Sequence, residues 1–430
     1  MKRVLVTIIL VLTGLCIFAQ ENLSLTDAIK LALENNYDLQ IKRQDQKIAE
    51  IQNNWGTVGR YPYINLSAES RNSANENNNE DYLTNQFTGG ASVSWTLFDG
   101  FSVRINKQKF EQLEELSRQN TAIMVESTIQ SVILAYYSVL LEREKLNVYN
   151  EVMQLSEDRL QKAEQRKEFG TAVTYDVLQA KNAYLADKAS MLTQEVSYKN
   201  ALRDLNFLMA VKENTNYQLT TEFTAIPKEY ILNELAAEMT ANNKVLRNQY
   251  INQNLLKNAV ALAKSDFSPG LSFAGGTTLS STRSDYEARG ESWNNYANFY
   301  GNFTLSFNLF SGGNRKRALQ IARINEDVGK VELGQMKHEL DNQLSNVYEF
   351  YMVRKELLNV ANENLAAAEL NLQISKEKYE SGAINSFNFR DVQNLYLNAA
   401  QRKLEAIYNF IDTHTALLRM TGTIVQEYPQ

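Results

Sequence analysis

Leu97-Phe98-Asp99-Gly100 returns 212 residues later as Leu309-Phe310-Ser311-Gly312, and that recurrence decides how the rest of the chain reads. The same shift pairs Tyr136 with Tyr348, Glu144 with Glu356, Gly170 with Gly382, Tyr184 with Tyr396 and Leu205 with Leu417. Upstream the shift is 207, where Asn35-Asn36 matches Asn242-Asn243 and Pro62 matches Pro269. The second copy therefore carries extra residues between Pro269 and Leu309. One supersecondary unit is written twice.

Before the Leu-Phe motif, each copy has a helical stretch, roughly 38–60 and 244–266, that runs into Pro62 or Pro269. Proline ends a helix because it lacks the N–H and crowds the preceding turn. The apolar period then changes to two. Ile64, Leu66 and Ala68 alternate with Asn65, Ser67 and Glu69; Ala91, Val93, Trp95 and Leu97 alternate with Ser92, Ser94 and Thr96. Phe303, Leu305, Phe307 and Leu309 alternate likewise with Asn302, Thr304, Ser306 and Asn308. These are strands with one apolar and one polar face. The polar stretches Asn75–Asp81 and Ser280–Asn295 are expected to link them, so each copy supplies one hairpin.

After the motif the pattern becomes helical. Asp99 and Ser311 suit the N-cap. Phe101 to Glu168 contains neither Pro nor Gly, a run of 68 residues, which at a rise of ~1.5 Å reaches about 100 Å. Ile129, Val132, Ile133, Tyr136, Tyr137, Leu140 and Leu141 form a stripe suited to helices packed side by side. Gly170 and Gly382 supply left-handed turns, and Thr174 and Ser386 are expected to cap the helices that follow. The expected order is signal peptide 1–20 and first repeat 21–234: helices 25–60, hairpin 62–98, long helix 100–168, tip turn 169–173, helix 174–210 and connector 211–234. The second repeat, 235–430, has helices 235–266, hairpin 269–310, long helix 312–380, tip turn 381–385, helix 386–421 and a C-terminal tail.

The 430 residues include only 4 Pro, which permits such helices, and a net charge of −6 gives no electrostatic reason to bind nucleic acid. Lys2-Arg3, the apolar run Val4–Leu15 and the exit at Ala19-Gln20 read as a secretory signal. Cys16 could carry a lipid, but Leu15 before it is larger than a lipid-attachment site wants. Removal of the signal takes the only cysteine with it, excluding disulfides and thiol catalysis. Beyond the signal no run of ~18 apolar residues is expected, so any membrane crossing falls to the strands.

Four amphipathic strands cannot close a barrel, whose smallest forms have about eight. An open edge in lipid leaves backbone groups unpaired. Several copies must therefore share one barrel, while helices too polar for lipid project into water. On these features the chain resembles the TolC-like outer-membrane efflux protein family over roughly Leu25 to Gly422. The features are Leu25, Ala28, Ala32 and Asn35-Asn36 at the start, Pro62 and Pro269, the doubled Leu-Phe-x-Gly, and Gly170, Thr174, Asp176-Val177 and Ala180 at the tip.

The resemblance implies a mixed α/β membrane protein: a homotrimer with a 12-stranded β-barrel, four strands per chain, in outer-membrane lipid. A long periplasmic α-helical barrel continues it. It implies a passive conduit of a tripartite efflux or type I secretion system, working with a periplasmic adaptor (membrane fusion) protein and an inner-membrane transporter. No cofactor, metal or catalytic residue is implied. The tips Phe169, Gly170, Thr171, Thr174, Gly382 and Ser386 would meet the adaptor, and Asp391, Asn388 and Asp176 are the gate candidates. Three facing carboxylates would repel in a closed mouth, or hold a cation. Each of these acids can equally be a solvated residue near a helix N-terminus.

His338-Glu339 starts like a zinc-protease helix but lacks the second His four residues on. His414 stands alone and reads as a packing or surface residue. Arg315-Lys316-Arg317 suits lipid headgroups, and Trp95, Phe98, Trp293, Phe307 and Phe310 suit interfacial girdles. The alternative to a conduit is a non-conducting coiled-coil surface protein, and an outer-membrane enzyme lacks any nucleophile–base constellation.

Overall fold

A computed structural model describes residues 21–76 and 81–428. The expected signal peptide, with Cys16, and part of the first hairpin linker lie outside the described residues. The elements in order are β1 (Glu21–Leu23), α1 (Leu25–Asn35), α2 (Tyr37–Gln52), β2 (Tyr63–Asn75), β3 (Tyr82–Asp99), α3 (Ser102–Glu168) and α4 (Thr174–Leu208). They continue as β4 (Tyr217–Leu219), α5 (Leu232–Asn242), α6 (Lys244–Ser265), β5 (Gly270–Tyr286), β6 (Gly290–Ser306), α7 (Asn314–Glu380), α8 (Ser386–Thr421) and α9 (Ile424–Glu427).

The duplication holds at the level of single hydrogen bonds. The Asn36 side-chain amide donates to the Leu208 carbonyl at 3.0 Å, and its counterpart Asn243 donates to Met420 at 2.9 Å. The Tyr136 hydroxyl donates to the Leu23 carbonyl at 2.8 Å, and Tyr348 donates to Tyr230 at 3.1 Å. Each bond joins a position displaced by 207 to one displaced by 212, so both shifts are structurally real.

Two compact units emerge among the described residues, and both take residues from both repeats: residues 21–41, 122–244 and 338–428, and residues 42–76, 81–121 and 245–337. In the second, an antiparallel sheet runs in the order β2-β3-β5-β6. The helices keep that order. Asn53, just past α2, binds Glu114 of α3, Asn258 of α6 binds Gln112 of α3 at 2.8 Å, and Gln253 of α6 binds the Glu326 carbonyl of α7. One sheet face carries Leu66 beside Ala91, Trp95 beside Phe273, and Phe273 beside Phe303 with rings 5.0 Å apart. The other carries Gln86 and Thr88 on Ser280. Strand pleating separates the two sets.

In the first unit, β1 and β4 pair in parallel and close a core against α1, α3, α4 and α8. Ile129, Val132, Ile133, Tyr136 and Leu140 of α3 are fully buried there. This corrects one expectation, because α3 contains an 18-residue window of mean hydropathy 1.4, long and apolar enough by composition to cross a membrane. Of that window 44% is buried inside the protein.

Other boundaries also move. α2 stops at Gln52 rather than about 60, since residues 53–59 form turns, with Gly59 at φ 79°. Ser280–Asn295 is mostly strand, and the linker shrinks to residues 287–289. Thr174 and Ser386 are the first helical residues, not the caps; Val173 and Asn385 take that position. The connector contributes β4, and the helix expected from 235 starts at Leu232.

Candidate functional site

The turns at Gly170 and Gly382 are built alike. Both glycines are left-handed, at φ 73° and 79°, a backbone state that residues with a Cβ rarely adopt. Thr171 closes the first turn by donating its hydroxyl to the Arg166 carbonyl at 3.0 Å. Phe169 is 80% exposed, and Thr174, Gly382 and the half-buried Ser386 stand at the same end. Lys162 reaches Glu380 at 2.8 Å and the Arg166 guanidinium donates to the Tyr379 carbonyl, so the first long helix is tied beside the second turn.

The three gate candidates separate. Asp176 accepts from the Val173 N–H at 3.3 Å, which makes it a helix-capping carboxylate. In the second copy Asn385 does this work, accepting from the Asn388 N–H at 2.9 Å. Asn388 and Asp391 are exposed and share one stripe of α8 with Leu395, Asn398 and Arg402. The opposite seam of α8, Phe389, Gln393, Tyr396 and Ala400, is buried. Asp391 alone among the three is an uncommitted carboxylate on an open face.

One residue away lies a cluster that sequence reading did not find. Arg390 makes two hydrogen bonds to Asp187, the Nη2–Oδ1 one at 2.7 Å, and Ser156 donates to the same carboxylate. Arg159 is buried beside them, and burial followed by the repulsion of Arg390 lowers its guanidinium pKa. A fork on a buried carboxylate is the strong form of an ion pair. It joins α4 of the first repeat to α8 of the second. A signal existed: Ala180, Asp187, Gln194 and Ala201 are the buried residues of α4 at a strict seven-residue step. A charge on such a seam requires a partner.

Higher up, His414 hydrogen-bonds Tyr230 at 2.8 Å and packs on Tyr351 and Phe410. Burial, with Lys228 adding to it, pushes its pKa down to about 4. It is a neutral packing residue at ordinary pH. Glu126 is almost wholly buried. Desolvation outweighs Lys244 and Arg419 and raises its carboxyl to about 7.

The sheet, the paired turns and the doubled register match a known family. The model of the outer membrane efflux protein family fits residues 28–211 and 235–423. The chain belongs to that family. Among relatives of this outer membrane efflux protein is the cation efflux system protein CusC of Escherichia coli O157:H7, 22% identical over 411 residues, covering 90% of this chain and 84% of the relative. A probable outer membrane lipoprotein, SilC of Salmonella typhimurium, is 21% identical over 395 residues, with 90% and 84% covered. The outer-membrane channel OprN shares the fold with a TM-score of 0.75 at 17% identity, covering 93% of this chain and 90% of that one. The Campylobacter jejuni CmeC outer membrane channel does so at 0.71 and 18%, covering 94% and 86%. Membership sets aside the non-conducting surface-protein alternative. The protein is an outer membrane efflux protein.

Proposed function

We propose that three copies of this efflux protein form one duct, with a 12-stranded barrel in the outer membrane continued by a helical barrel in the periplasm. The observation that carries this is the sheet order. β2 and β6 each have a single partner among the described strands, and the unpaired backbone along both edges needs covering in lipid. Three sheets of four strands cover one another's edges and leave no end.

The exposed residues Phe169, Gly170, Thr171, Thr174 and Gly382, with the half-buried Ser386 at the start of α8, form the surface for a periplasmic adaptor, which connects the duct to an inner-membrane transporter. Asp391 is the gating carboxylate, with Asn388 beside it. Arg315-Lys316-Arg317, at the start of α7, is suited to lipid headgroups. The test is mass and conductance: a detergent-purified trimer should open channels in planar bilayers, and a monomer without conductance would refute the duct. For the gate, Asp391→Ala should raise single-channel conductance and abolish block by divalent cations. Unchanged block removes Asp391 from the mouth.

A further inference from the structure

At the foot of the apolar sheet face, where β3 gives way to α3, the surface holds a recess of about 420 Å³. Two guanidiniums, Arg60 and Arg104, line it together with Trp95, Leu97, Phe98 and Phe101. Both arginines are exposed, and among the described residues neither has a carboxylate partner. The one carboxylate of the lining, Asp99, accepts from the Val103 N–H at 2.9 Å and so is engaged at the start of α3. The nearest lysine, Lys107, is held by Asn53 and Glu111. One positive charge is left over in the recess.

The recess is built rather than incidental. The Trp95 indole N–H donates to the Arg60 carbonyl at 2.9 Å, and the Arg60 guanidinium lies over the Trp55 ring, 4.8 Å from its centre. Backbone and side chain of Arg60 are therefore both held. Phe98 and Phe101 meet edge to face with ring centres 5.3 Å apart. Phe101 is 62% exposed and sits at φ 72°, a backbone state costly for any residue with a Cβ. The turn that presents it is pinned, since a Cβ on Gly100 would meet the Ser265 carbonyl at 2.5 Å.

The second copy lacks this arrangement. The shifts of 207 and 212 put Phe267 where Arg60 stands, Leu262 for Trp55, Phe307 for Trp95 and Gly313 for Phe101. Phe307 has no N–H to hold the opposite loop, and a Cβ on Gly312 would meet nothing within 4 Å. The paired arginines and their aromatic floor belong to the first copy alone.

We propose that this recess binds one monoanionic phospholipid of the periplasmic leaflet, with Arg60 and Arg104 on its phosphate and an acyl chain along Leu97, Phe98 and Phe101. Guanidinium forks match phosphate oxygens. Aromatic rings favour the depth at which headgroups meet acyl chains, and basic pockets at that depth take anionic headgroups. A free phosphate leaves the rings in water, and an acyl chain alone leaves the arginines unpaired. A lipid satisfies both. The proposal rests on the barrel lying in the outer membrane with its helices on the periplasmic side.

The experiment is native mass spectrometry of the full-length protein in a delipidating detergent, titrated with phosphatidylglycerol or phosphatidylcholine. Phosphatidylglycerol should be retained at one lipid per chain, at least about tenfold more tightly than phosphatidylcholine, whose choline restores the excess positive charge. Arg60→Gln with Arg104→Gln should remove that preference, while Lys109→Gln, which deletes an exposed charge further along α3, should keep it. Planar-bilayer conductance of the double variant should stay at the wild-type value, showing an intact duct that has lost only its lipid. Equal retention of the two lipids, or equal loss in Lys109→Gln, overturns the site. Displacement of the lipid by inorganic phosphate also overturns it, in favour of a free-anion site. A wild-type protein that conducts but shows no preference for phosphatidylglycerol overturns the lipid site and leaves the duct standing.

Discussion

The junction between the two repeats of one chain and the outer faces that remain free are related by the same two shifts, yet their chemistry differs. The internal junction is polar and ionic: Gln112 on Asn258, Arg390 on Asp187, Tyr396 on Glu151, Lys145 on Glu405. Of the outer positions converted from these residues, Ile324, Ile51, Leu178 and Leu357 are apolar, whereas Thr193, Tyr184 and Glu363 keep polar groups. Directional pairs select one geometry but contribute little net free energy, whereas apolar area drives association. Giving the two junctions different chemistry also disfavours exchange between them, since a buried charge set against an apolar stripe is costly.

The largest effect expected from breaking this contrast is at Asp187. Arg390→Leu strands that carboxylate in a buried site and should cost about 3–5 kcal/mol, while adding Asp187→Leu should recover most of it. Thermal unfolding of the single and double variants checks this; equal loss in both removes the pair from the junction. Gly100→Ala should cost about 3 kcal/mol through its clash and its left-handed backbone. With a neighbour in place Gly312→Ala should match it, and a loss of only about 1–2 kcal/mol, the backbone cost alone, would mean that the outer face is uncovered.

Glu126 sharpens the comparison through pH. Its folded pKa of about 7 exceeds the reference 4.5, so the folded state holds the proton more tightly. Stability from this group is then full below pH 4.5 and lost as pH rises through 7. Glu126→Gln should therefore stabilise the protein at pH 8 by on the order of 2 kcal/mol and change little at pH 4.5. A benefit that is the same at both pH values contradicts the buried-carboxylate account. The smallest difference should be within the repeats themselves. Asn36→Ala and Asn243→Ala each free a carbonyl at an equivalent helix end and should cost about 1–2 kcal/mol apiece. Denaturation midpoints that differ widely between them would break the equivalence of the copies.

Much of this was legible in the residues. The two shifts, the switch from period 3.6 to period 2 and the long helices are local or repetitive signals, and α3 ends at Glu168 and α8 at Thr421 as the spacing requires. The errors arose where local cues compete. Ser280–Asn295 is polar because it lies on a strand extending past the apolar band, and Thr174 has cap chemistry but sits one residue too late. The apolar window of α3 resembles a membrane span in composition, and only its neighbours show that β1, β4 and α1 cover it.

At the tips the sequence pointed to Asp176, Asn388 and Asp391 as one group, but their roles depend on direction. Backbone geometry turns Asp176 to its own helix end, and helix rotation leaves Asp391 open while Arg390 next to it is held by Asp187. Residue order by itself determined the duplication, the two hairpins and the shortage of strands, because periodicity and repetition are properties of a line. Which buried charges meet, which glycine is close-packed and which apolar stripes lack a partner were decided only in three dimensions. Those outcomes depend on contacts between residues more than a hundred positions apart, whose pairing no local pattern encodes.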